Sequence, residues 1–193
     1  MKKILFSILL LITANSYAGN QQYEDLKDET RTMMSQMVSD QPPKYSSFIN
    51  EKEENNWVKK YENLIKRFSP EAAERELLLK SIHYEATRAG LEPELILGLI
   101  RVESGFNKYA VSSVGARGFM QVMPFWVKVI GEKNHNLFHM RTNLRYGCII
   151  LRHYLDIEKG NMFRALGRYN GSLGKADYPN AVMAATRTFK NKE

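Results

Sequence analysis

Nowhere along the 193 residues do apolar and polar side chains alternate strictly for more than a few positions. A half-buried β-strand needs that alternation, because its successive side chains point to opposite faces of a sheet. Apolar residues recur instead three and four apart, the spacing that lines one face of an α-helix. Trp57, Tyr61, Leu64 and Phe68 form one such stripe, and Leu77, Leu78, Ile82 and Ala86 form another that Gly90 closes. There is no internal repeat. The expected architecture is mainly α. With 44% hydrophobic and 25% charged residues the chain can bury a core, so wholesale disorder is excluded. One cysteine excludes a disulfide scaffold and any multi-cysteine metal site. That residue, Cys148, lies in the apolar run Gly147-Cys-Ile-Ile-Leu151 and reads as a buried small hydrophobe.

Three segments are expected. Lys2 and Lys3 precede an apolar run from Ile4 to Ile12, and Ser16-Tyr-Ala18 follows. A positive end, a short apolar stretch and small residues before a cut read as a secretory signal peptide over residues 1–18, cleaved after Ala18. The run is roughly half the ~20 residues that a bilayer span needs. No cysteine stands at the cut to accept a lipid. Residues 19–70 carry 8 Lys/Arg against 9 Asp/Glu and read as a helical extension: a helix from Tyr23 to Val38, a Gln-Pro-Pro break at 41–43, then the Trp57 stripe packed on the main domain. Residues 71–193 carry 18 against 12 and hold the basic excess. Ser69-Pro70-Glu71 reads as a helix start, with Ser as N-cap and Pro at the first helical position. A net charge of +7 suits an anionic partner. The basic residues are scattered, without the dense patch and interleaved aromatics of a nucleic-acid platform, and export argues against that partner too.

The chemistry is concentrated after Leu91. In Leu91-Glu-Pro-Glu-Leu-Ile-Leu-Gly-Leu-Ile-Arg-Val-Glu103, Pro93 suits a first helical turn and Glu94 suits its dipole. Ile96, Leu99 and Ile100 precede Glu103 by seven, four and three residues, so the carboxyl projects from the apolar stripe. Desolvation there raises its pKa. Ser104-Gly-Phe-Asn107 ends the helix, and a turn-rich connector leads to Phe119-Met-Gln-Val-Met-Pro124, an amide and two thioethers in an apolar setting. A floor of that kind beside a half-buried carboxyl suits a neutral polar ligand.

Three motifs in order, ESGFN at 103–107, AVSSVGARGFMQVMP at 110–124 and RYNGS at 168–172, resemble those of the soluble lytic transglycosylases, which have a goose-lysozyme-like fold. The resemblance covers about residues 75–185, within a catalytic domain expected over residues 71–193. Phe119 stands where Leu is usual, Arg168 where a small residue usually precedes Tyr-Asn, and Gly171-Ser-Leu-Gly174 replaces a Gly-Pro-Gly-like turn. The resemblance implies that Glu103 is the sole catalytic acid and base. It implies that Ser112 contacts substrate near the cut, and that Gln121 orients the catalytic region and a sugar. Met123 would line the groove, and Tyr169 and Asn170 would lie across it, the phenol close to Glu103. The implied substrate is peptidoglycan, cut between N-acetylmuramic acid and N-acetylglucosamine to leave a 1,6-anhydro end with no cofactor or metal; the signal-peptide reading gives the location as periplasmic.

The carboxylate pattern points the same way. Ordinary glycosidases pair two carboxylates, about 5 Å apart when retaining and about 6.5–9.5 Å apart when inverting. No Asp or Glu lies between Glu103 and Glu132, and none follows Tyr169 before Asp177. Two alternatives stay open: a hydrolytic muramidase on the same fold, and a non-catalytic peptidoglycan-binding module. Small exported members of the family often serve an envelope-spanning secretion, pilus or conjugation apparatus, and the short chain favours that role over bulk turnover. Oligomeric state is not legible. His135 and His139 lack the Glu of a zinc-protease helix and read as surface residues. Asn143 to Leu155 reads as an amphipathic core helix with solvated Arg residues and a structural Tyr146.

Overall fold

The computed structural model describes residues 21–39, 46–69 and 71–191. The signal-peptide reading, the Gln-Pro-Pro break and Pro70 lie outside the described residues. Among the described residues eight helices follow in order: α1 (Asp28–Ser39), α2 (Glu51–Ile65), α3 (Ala72–Arg88), α4 (Pro93–Glu103), α5 (Phe125–Ile130), α6 (Met140–Ile157), α7 (Met162–Asn170) and α8 (Asp177–Lys190). Among the described residues there is no strand; two isolated bridges, Val111 with Arg117 and Arg117 with Val122, tie the connector between α4 and α5. No described helix is long and apolar enough to cross a membrane.

One apolar core runs from Leu26 to Phe189 and takes in Met34, Tyr61, Ile100, Trp126 and Tyr169. The Trp57 stripe of the extension packs on the main body through α2. The Trp57 indole N–H donates to the Leu79 carbonyl at 2.9 Å, and the Tyr61 hydroxyl donates to Glu94 at 2.7 Å. Cys148 is buried in α6.

Three local expectations are corrected. The first helix starts at Asp28, not Tyr23, and residues 21–27 run outside any helix. Gln21, Tyr23 and Glu24 use their side chains on α5 and α7 instead, which a helix beginning at Tyr23 would turn away. The N-cap of α3 is Glu71, whose carboxylate accepts from the Ala73 and Glu74 N–H groups; the Ser69 carbonyl accepts from Arg75 at 2.7 Å. Arg145 is not solvated. It is 6% exposed, pairs with buried Glu85 of α3 at 3.2 Å and donates to the Val38 carbonyl at 3.0 Å, so α1, α3 and α6 converge on one buried cation.

The contact that builds the centre is α4 against α8. A Cβ on Gly98 would stand 2.6 Å from the Thr186 backbone nitrogen and 2.9 Å from its Cα, so only glycine permits this approach. Overpacking of this kind costs about 1–3 kcal/mol, against a helix-propensity gain from Ala of about 1 kcal/mol. Gly98→Ala is expected to lower the melting temperature and, by displacing α8, to lower activity as well. A variant that melts and turns over like wild type contradicts this account of the helix pair.

Candidate active site

Glu103 is the last residue of α4, and its stripe neighbours Ile96, Leu99 and Ile100 are fully buried. The residue itself is 8% exposed. Burial pushes its carboxyl up to about 8, and the Tyr178 hydrogen bond opposes that rise only in part. The Tyr178 hydroxyl donates to Glu103 Oε1 at 2.5 Å. Glu103 Oε2 is buried with no hydrogen-bond partner among the described residues. A carboxyl with this pKa is largely protonated at neutral pH. One oxygen is held by a phenol and the other is uncommitted, so the group can donate a proton and then be supported as an anion. Among the described residues no second carboxylate contributes to its electrostatics.

The helix end is fastened to the floor. The Ser104 hydroxyl donates to the Phe119 carbonyl at 2.7 Å. Asn143 of α6 clamps the connector: its Oδ1 accepts from the Met120 N–H at 2.8 Å, while its Nδ2 donates to the Arg117 and Leu137 carbonyls at 2.8 and 2.9 Å. Gly118, at φ +75°, lies so close to Asn143 that a Cβ would meet Nδ2 at 2.5 Å.

The residues implied by the motifs fall into distinct positions. Gln121 is buried with φ +48°, and its amide donates to the Gly118 and Ala110 carbonyls at 3.0 and 3.2 Å, so it braces the connector on both sides. The Ser112 hydroxyl accepts from the Ala116 N–H at 3.0 Å and closes the turn at the far end of that connector. Met123 is half-buried against the core at the start of α5. Tyr169 and Asn170 are buried at the end of α7, which Gly171 terminates in the left-handed region at φ +75°. The Tyr169 phenol donates to the Met120 carbonyl at 2.7 Å, and the Glu103 charge acts on it, so it lies near the acid without hydrogen-bonding it.

The phenol bonded to Glu103 is Tyr178, which the motifs did not single out. Its signal was the buried face Tyr178, Val182 and Phe189 on α8, readable as a core helix but not as a partner of a residue 75 positions away. His135 is occupied by Tyr146, its Nδ1 lying 2.8 Å from the phenol oxygen, and no group of three metal-ligating side chains occurs among the described residues. Cavities of 750, 400, 340 and 300 Å³ open elsewhere on the surface, and Glu103 lines none of these four.

A carboxyl braced on a helical core by a connector of this pattern defines a class, and comparison with known proteins identifies it. Residues 80–189 match the model of the transglycosylase SLT domain, and the chain belongs to that family. It is 32% identical over 111 residues to a transglycosylase of Enterobacteria phage PRD1, an alignment covering 54% of this chain and 41% of the phage protein. It is 48% identical over 112 residues to the membrane-bound lytic murein transglycosylase C of Haemophilus influenzae strain PittEE, covering 50% of this chain and 31% of that one. The chain therefore spans less than half the length of these relatives. Among solved structures it is similar to an inactive mutant of the lytic transglycosylase Slt from Pseudomonas aeruginosa, with a TM-score of 0.45 and 21% identity over 72% of this chain and 28% of that one.

Proposed function

We propose that this chain is a peptidoglycan lytic transglycosylase, cleaving the β-1,4 bond between N-acetylmuramic acid and N-acetylglucosamine and leaving a 1,6-anhydro end. The observation that carries the reading is the buried carboxyl of Glu103, raised to about 8 with no other carboxylate among the described residues acting on it. Retaining and inverting hydrolysis both call for a second carboxylate about 5–9.5 Å away. A lone acid fits a route in which the substrate's own groups complete the reaction.

In that route Glu103 protonates the glycosidic oxygen, and the bond to the muramic anomeric carbon breaks. The 2-acetamido carbonyl of the muramic residue supports the resulting cation. Glu103, now a carboxylate held by Tyr178, takes the proton of the muramic 6-hydroxyl as that oxygen attacks the anomeric carbon. Protons and bonds balance without water. One group acting first as acid and then as base needs a pKa near the working pH. Gln121 keeps the floor in register, and Met123, Tyr169, Asn170 and Ser112 line the path of the glycan. Two relatives are named as transglycosylases, one of them a murein transglycosylase, which supports the same substrate.

Under the export reading this activity lies in the periplasm, where it serves local opening of the wall for a secretion, pilus or conjugation apparatus. The test of the activity is mass spectrometry of material released from purified sacculi. Anhydro-muropeptides are expected. Release of reducing muropeptides identifies a muramidase, and binding without release identifies a wall-binding module.

A further inference from the structure

The floor beside Glu103 is covered by the chain's own N-terminal segment. The Gln21 side-chain carbonyl accepts from the Met123 backbone N–H at 3.3 Å and from the Trp126 indole N–H at 3.0 Å. Gln21 is only 4% exposed and lies near the Tyr169 phenol, its Nε2 buried with no hydrogen-bond partner among the described residues. Two residues on, the Tyr23 ring meets Phe125 edge-on at 5.8 Å between centroids. The Glu24 carboxylate accepts from Arg168 Nη1 at 2.9 and 3.2 Å, and Arg168 is held from its other side by Glu158. Leu26 enters the core and anchors the segment just before α1, which Arg88 fastens through the Met37 carbonyl at 2.9 Å.

These contacts fall on Met123, Phe125, Trp126, Arg168 and Tyr169, the stretch of floor between the connector and α7. Tyr169 is 0% exposed and Glu103 is 8% exposed in this arrangement. A glycan strand laid along Met123 and Trp126 has to displace Gln21 from the Met123 N–H and the Trp126 indole. Arg168, the departure from the family's usual small residue, is the side chain that ties the segment down.

We propose that residues Gln21–Leu26 form an autoinhibitory strap that occupies the glycan groove beside Glu103 and must leave before substrate binds. The proposal rests on the reading of that groove as a glycan site. The strap is held by polar contacts at its outer end and by Leu26 at its inner end, so it swings from the anchored side. While it is down, only the fraction of molecules with the groove open binds glycan, and the apparent affinity falls by that fraction. Opening the strap therefore lowers KM and leaves kcat unchanged, since none of its residues takes part in the reaction.

The test uses the full chain with Gln21→Ala, Glu24→Lys and the two combined. Neither position lies in the α4–α8 core, and circular dichroism with thermal unfolding verifies the fold. Two readouts are taken: affinity for tri-N-acetylchitotriose by calorimetry, and kcat and KM for product release from sacculi. The double variant is expected to bind the trisaccharide about tenfold more tightly, with KM lowered in proportion and kcat unchanged, and each single variant to fall between. Affinity that is unchanged, reduced or undetectable in the folded double variant overturns the strap. If products appear but affinity does not move, the strap fails and the activity stands. If no variant releases products, the activity reading fails, and the trisaccharide affinities still decide the strap.

Discussion

Glu103→Gln is expected to lower the rate of product release by about a thousandfold or more while the protein stays folded and keeps its groove. Glutamine is nearly isosteric and can still accept the Tyr178 hydroxyl bond, but it has no proton to give to the leaving oxygen and cannot recover one from the 6-hydroxyl. With no second carboxylate among the described residues acting on the site, nothing there takes over either half of the reaction. The same substitution changes the pH dependence of stability, and its sign follows from the raised pKa. The folded state holds the Glu103 proton up to about pH 8, whereas the unfolded chain releases it near 4.5. Between those values folding takes up a proton, so wild-type stability falls as pH rises and levels off above the folded pKa. At about 1.4 kcal/mol per pH unit, wild type loses about 3 kcal/mol from this group between its unfolded pKa and neutrality. Glu103→Gln lacks that loss. Chemical denaturation of both proteins across pH reads the difference directly. Parallel pH profiles contradict the burial of the charge, and near wild-type turnover by the variant contradicts the mechanism.

Tyr178→Phe carries the second large effect. The phenol hydrogen bond lowers the Glu103 pKa against the rise due to burial, which means that it stabilises the carboxylate. In the proposed route that carboxylate forms when the glycosidic oxygen is protonated and persists until the 6-hydroxyl attacks. Removing a donor aimed at developing charge in a site shut off from water costs about a hundredfold in kcat. The substitution is also expected to move the alkaline limb of the pH–rate profile upward, because the acid loses its stabilised anion. A purely structural Tyr178 would lower stability and leave that limb in place. An unmoved limb with unchanged kcat contradicts the assignment.

Much of the architecture could be read from periodicity because a helix buries a stripe with its own local spacing. Ile96, Leu99 and Ile100 placed Glu103 on the buried face of α4, and it is buried there. The Trp57 and Tyr61 stripe correctly marked α2 as packed, since an apolar face of that size has no stable place in water. What escaped depends on contacts between distant segments. Tyr178 reaches Glu103 only because Gly98 lets α8 lie directly on α4, and a glycine inside a helical pattern does not announce its partner. Arg145 sits within an amphipathic pattern that reads as solvated, and only the arrival of Glu85 and the Val38 carbonyl makes its burial tolerable. Residues 23–27 are polar enough to continue a helix, yet Gln21, Tyr23 and Glu24 find partners on α5 and α7 that no local rule foretells.

The central claim is that one carboxyl serves as acid and then as base, with the substrate's own hydroxyl replacing water. Digestion of purified sacculi in oxygen-18 water tests it most directly. The account predicts 1,6-anhydro ends carrying no label from the solvent, one water lighter than their hydrolytic counterparts. Reducing muramic ends that carry oxygen-18 at the anomeric carbon would contradict it.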